Sequence, residues 1–153
     1  MKAILAIALV LASSTSFAAI KEQTCYKAAN PGEIKAEKDD GKISVGKRAT
    51  LKLATETDQY SSSGIARTGK LRVVTTDESR IMVWGNINSG MKTKLPTYQV
   101  DCDGGSMTVK KVDATTLILN SEYIAGEVQN GEEGCSNARL KFEDLVMKKT
   151  ECK

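Results

Sequence analysis

Apolar residues that recur every second position, in short runs separated by turn chemistry, are the feature that most narrows what this chain can fold into. Residues 47–54 alternate around Leu51 and Leu53, residues 70–75 hold Leu71, Val73 and Val74, and residues 81–87 hold Ile81, Val83 and Trp84. Similar runs follow at 97–102, 107–112, 115–119, 123–128, 139–142 and 145–150. A repeat of two matches a strand whose alternate side chains face opposite sides of a sheet. Between the runs lie turn formers such as Thr76-Asp77-Glu78-Ser79, Asp103-Gly104-Gly105 and Asp113-Ala114. Eight or nine short strands at this spacing predict an all-β fold: an antiparallel meander closed into a small lipocalin-like barrel, or folded into a sandwich. Two stretches break the rhythm. Residues 28–47 are polar, with room for one short helix over 33–38, and residues 55–68 carry so little apolar content that a loop is expected.

The first eighteen residues belong to targeting and stand outside the fold. Lys2 forms a positive n-region, Ala3 to Ala12 an apolar h-region, and Ser16-Phe17-Ala18 a small-residue cleavage site, the pattern of a secretory signal peptide. The apolar run is shorter than the ~20 residues a membrane helix needs. Cys25 lies too far from the site for a lipoprotein signal, so no membrane anchor is expected. Removing residues 1–18 from 153 leaves 135, a single β domain over 19–153 with a net charge lowered from +3 to +2 by the loss of Lys2. That charge is too small to predict a nucleic-acid partner. A periplasmic or secreted location is expected, and the Lys-led leader with no N-x-Ser/Thr sequon fits a bacterial periplasm.

Four cysteines in an exported chain predict two disulfides. If Glu143-Asp144 is a two-residue hairpin turn, Phe142 faces Leu145, Leu140 faces Met147 and Cys135 faces Cys152. This register favours Cys135–Cys152 with Cys25–Cys102, ahead of Cys25–Cys152 with Cys102–Cys135.

Candidate chemistry is sparse. The chain has no His, which removes Ser-His-Asp and Cys-His nucleophile pairs and the HExxH metal site. No close CxxC spacing indicates zinc, and Asp101-Cys102-Asp103-Gly104-Gly105 reads as a hairpin turn in preference to a calcium loop. The Asp39-Asp40 and Glu132-Glu133 pairs read as solvated loop charge. Neither a metal, a cofactor nor an enzymatic activity is expected. The basic residues mostly alternate with the apolar set, as on a solvated outer face. Trp84 and Asn86 share one side of their strand, opposite Ile81, Val83 and Ile87. They are candidate contact residues if that side faces outward, although a strand buried on both sides, with Trp84 in the core, is the favoured expectation.

The remaining candidate contacts are Tyr60, Ser62, Ser63 and Arg67. Ser62-Ser63-Gly64-Ile65-Ala66-Arg67 resembles the small-residue loop with which some bacterial periplasmic lysozyme inhibitors plug the enzyme's cleft, over six residues of the chain. Two functions are therefore expected. One is a non-enzymatic exported binding protein whose ligand or protein partner is unknown. The alternative, implied by the resemblance, is an inhibitor of an envelope-targeting hydrolase acting through the Tyr60–Arg67 loop.

Overall fold

The computed structural model describes residues 20–57, 64–88, 97–100, 104–129 and 138–153. Nine strands run in chain order: β1 (Ile20–Ala28), β2 (Lys35–Lys38), β3 (Ile43–Thr57), β4 (Ile65–Thr75), β5 (Arg80–Asn88), β6 (Thr97–Val100), β7 (Gly105–Lys111), β8 (Thr116–Val128) and β9 (Ala138–Thr150). All pair antiparallel. The all-β expectation holds, and of its two forms the barrel is the one adopted. Strands β1, β3, β4, β5, β8 and β9 close into a six-stranded ring, and β6 and β7 are two extra strands inserted where β5 and β8 diverge. The pairings β1–β9, β3–β4 and β8–β5 complete the closure.

The slot between β3 and β9 is filled by two segments in series. β1 occupies one end, and β2 occupies the other. Pro31 explains the break, because it has no N–H to donate to a ladder, and here it opens a single 3-10 turn, Pro31–Glu33. The room left for one short helix over 33–38 is taken by this turn and by β2. Asn30 bridges the gap. Its amide Nδ2 donates to the Asp144 carbonyl at 3.1 Å and its Oδ1 accepts from the Val146 N–H at 2.7 Å.

Alternation sets the inside. Tyr26, Leu51, Leu71 and Val83 form one inward row across β1, β3, β4 and β5, each opposite the next. Ile34, Met107, Leu119, Ile124, Leu140, Phe142, Leu145 and Met147 pack with them into one buried cluster. Two glycines permit close approaches in this frame. A Cβ on Gly46 would lie 2.9 Å from the Ile34 Cβ and would strike the Pro31 carbonyl, so only glycine lets β3 pass beneath the 3-10 turn. A Cβ on Gly126 would collide with Ile81 where β8 meets β5 and the ring closes.

Four expectations are corrected. The hairpin at Glu143-Asp144 does not form: β9 is continuous, and those two residues make a bulge opposite β8, where the partner of Leu119 is Leu145 but the partner of Ser121 is Phe142. Asp144 takes φ 47°, and its N–H donates to the Asn120 Oδ1 at 2.7 Å. The extra residue shifts the phase, so Ala138, Leu140 and Phe142 before it and Leu145 and Met147 after it all face the core. Likewise 115–119 and 123–128 belong to one strand, β8.

The favoured disulfide pairing fails with the hairpin. Cys25 is bonded to Cys152, with Cα atoms 5.1 Å apart. That bond takes Cys152 and so excludes Cys135–Cys152. Cys25 is thereby unavailable to Cys102. Cys102 and Cys135 themselves lie outside the described residues. The long loop expected over 55–68 shrinks as well, because β3 continues to Thr57 and β4 begins at Ile65.

Candidate functional site

The outer faces of β3, β4 and β5 form a continuous surface whose rows follow from register. One row runs Cys25, Lys52, Lys70, Trp84, and the next runs Gln23, Ala54, Thr68, Asn86. Because Ala54 and Thr68 are short and their neighbours long, the surface dips into a groove of about 270 Å³ lined by Lys52, Ala54, Glu56, Thr68, Lys70, Trp84 and Asn86. Trp84 is 39% exposed and Asn86 is exposed, whereas Ile81 and Val83 are buried. The core reading favoured for Trp84 is thus overturned: the interior is already filled from the other face of β5, and the indole lies against solvent on the barrel wall.

The structure brings together two of the six contact candidates, Trp84 and Asn86. Arg67 is not with them. It shares the inward phase of Gly69 and Leu71, and it is exposed because β4 has run past the core at this end of the barrel. Tyr60, Ser62 and Ser63 lie outside the described residues. Lys52 and Lys70 are the residues that sequence reasoning left in the solvated background. Register would have found them: pairing about the turn centred at Asp77 sets Lys70 opposite Trp84.

The electrostatics of this face are one-sided. Arg48, Lys52, Lys70, Arg72 and Arg80 all stand on outward positions of the three strands, and Glu56 is the single acid there among the described residues. Glu56 closes one end of the groove, accepting from the Thr68 hydroxyl at 3.4 Å. Outside the groove, in the β4–β5 turn, Glu78 is bound by Lys47 at 2.5 Å, and its carboxyl is held below the usual range first by that bond and further by the fields of Lys47, Arg48 and Arg80. Lys52, Lys70 and Arg72, between the two, form no ion pair among the described residues.

Two other polar clusters are internally satisfied. At the β4–β5 turn the Asp77 carboxylate accepts from the Lys38 ammonium at 2.6 Å, from the Ser44 hydroxyl and the Ser79 N–H, each at 3.1 Å, and from the Thr75 hydroxyl. The Lys38 bond, followed by the Thr75 hydroxyl, holds this carboxyl well below the normal carboxylate range. It stays ionised and fastens the turn to β2 and β3. A second groove of about 430 Å³ between β7, β8 and β9 is lined by Ser106, Thr108, Asn120, Ser121, Glu122 and Tyr123, among others. There Ser121 donates to the Ser106 carbonyl at 2.9 Å, Lys141 pairs with Glu122 at 2.6 Å, and the Arg139 guanidinium covers the Tyr123 ring at 5.6 Å. Among the described residues no cluster of His, Cys, Asp and Glu could hold a metal ion.

The chain matches no protein-family model, no curated protein and no solved structure.

Proposed function

We infer that this chain is an exported, non-enzymatic β-barrel that binds its partner through the outer groove on β3, β4 and β5. The observation that carries this reading is Trp84, 39% exposed on the wall of a closed barrel and set in a groove with Asn86, Thr68 and Lys70. A large aromatic left on an outer face loses the burial free energy it would gain in a core, and aromatic side chains with a polar tip are the commonest anchors at binding surfaces. The interior is the less favourable alternative, because Phe142, Leu51, Leu71, Met107 and their neighbours occupy it. The Cys25–Cys152 bond is compatible with an oxidising compartment, which supports export.

Two measurements test the reading. Intact-mass analysis of the envelope or secreted fraction is expected to show a chain beginning at Ala19 or Ile20, and a full-length cytoplasmic species as the main form refutes export. In co-sedimentation with insoluble cell-wall glycan, the wild-type protein is expected in the pellet and Trp84→Ala mostly in the supernatant. Sedimentation of Trp84→Ala as complete as that of wild type refutes the outer-face reading, and wild-type protein left in solution excludes cell-wall glycan as the partner.

A further inference from the structure

We propose that the outer face of β3, β4 and β5 recognises an anionic polysaccharide, a sugar chain carrying carboxylate or phosphate groups; this rests on the outer-face reading above. Three features converge on that chemistry.

The first is charge placed at a cost. Lys52 and Lys70 are directly opposite each other on adjacent strands, and Arg72 follows Lys70 on the same face. Like charges directly opposite are destabilising in a sheet. Lysines on strands often guard open edges against aggregation. That explanation fails here, because β3, β4 and β5 each have a neighbour on both sides in a closed ring. A bound anion relieves the repulsion.

The second feature is the row composition. Trp84 offers a flat apolar face beside Lys70, and the next row offers the Thr68 hydroxyl and the Asn86 amide. Stacking surface, cations and neutral hydrogen-bonding groups within one groove match a ligand that has ring faces, anionic substituents and hydroxyls together. The third is shape. From Arg80 to Asn86 the face runs about 20 Å along β5 at ~3.3 Å per residue, with an open groove and no enclosing walls, which suits a chain passing across it better than a small molecule held within it.

Trp84 is the one tryptophan in the chain, so its emission reports occupancy of the face directly. The probes are polygalacturonate, its methyl ester, which keeps the sugar chain and removes the charge, polyribitol phosphate, and duplex DNA. Polygalacturonate is expected to change the emission and to weaken at least tenfold between about 50 and about 200 mM salt, as cation–polyanion contacts do. The methyl ester is expected to bind at least about tenfold more weakly, and Lys70→Glu/Arg72→Glu to lower affinity for polygalacturonate by at least as much. Comparable or tighter binding of polyribitol phosphate assigns the anion as phosphate, and weaker binding assigns it as carboxylate. Lys70→Glu alone sets an acid opposite Lys52; it is expected to lower affinity for polygalacturonate as well and to melt no lower than wild type, so its loss of binding cannot be ascribed to unfolding. Equal binding of the methyl ester, unchanged affinity of the double variant, or duplex DNA binding as tightly as polygalacturonate each overturns the proposal. Binding of the methyl ester that Trp84→Ala abolishes, read by titration calorimetry because the variant has no tryptophan, leaves the outer-face reading standing while the anionic one falls.

Discussion

Asn30 shows how one side chain can stand in for missing backbone. Pro31 interrupts the ladder between β1 and β2, and the Asn30 amide supplies both a donor and an acceptor to β9 across the gap. Asn30→Ala would strand the Val146 N–H beside the bulge, and leaving such a group unpaired costs about 1–3 kcal/mol. Urea denaturation of the variant is expected to show a loss in that range with an unchanged slope. Asp77 provides a second prediction at this scale. Its folded carboxyl titrates below the unfolded value of ~3.9. Its stabilisation is therefore complete well above that pH and is lost as pH falls through and below it. Wild-type protein is expected to lose more stability between about pH 6 and about pH 3 than Asp77→Asn, because the variant has no carboxylate to protonate. Parallel denaturant midpoints at the two pH values check this.

At the scale of the element, β9 explains both what the sequence disclosed and what it concealed. Alternation in 139–142 and 145–150 correctly marked strand and core, including Leu140, Phe142, Leu145 and Met147. A phase slip of one residue, however, reads the same in a hairpin as in a bulge. What decides is the partner strand, with Asn120 capping the Asp144 N–H, and a partner is invisible in a local pattern. β2 was missed for a different reason: it buries only Ala36, so its alternation carries almost no apolar signal. The site was half legible. The side of β5 holding Trp84 and Asn86 came from alternation, whereas the row joining them to Lys52 and Lys70 needed the register of three strands. Deleting Asp144 tests the bulge. The deletion leaves Glu143 alone opposite Asn120, so Leu145 and Met147 keep facing the core and the loss is expected to be small, whereas deleting Glu143 as well turns both outward and is expected to cost several kcal/mol, as losing two buried side chains of ~2 kcal/mol or more each requires. Single- and double-deletion variants that melt at the same temperature refute the phase argument.

At the scale of the whole molecule, the Cys25–Cys152 bond joins positions 127 residues apart, beside the pairing of β1 with β9. In the chain-entropy model a loop of that size stabilises by about 5 kcal/mol. Non-reducing peptide mapping is expected to yield a fragment joining Cys25 to Cys152 and a second joining Cys102 to Cys135. A Cys135–Cys152 fragment contradicts the Cys25–Cys152 bond. The double variant Cys25→Ala/Cys152→Ala is expected to unfold at lower denaturant by about 3–5 kcal/mol while its circular dichroism remains that of a β protein.

The pairing of β1 with both β3 and β9 also sets a timetable. A strand near the start of the described chain finds one of its two neighbours only in residues 147–150. The ring cannot close while those residues are still in the ribosome, and contacts of such long sequence separation form slowly in any case. A newly made chain therefore remains open until β9 arrives. The same late seam keeps Cys25 exposed to a wrong partner for as long as Cys152 is missing, so the interval before completion is when this barrel is most open to mispairing.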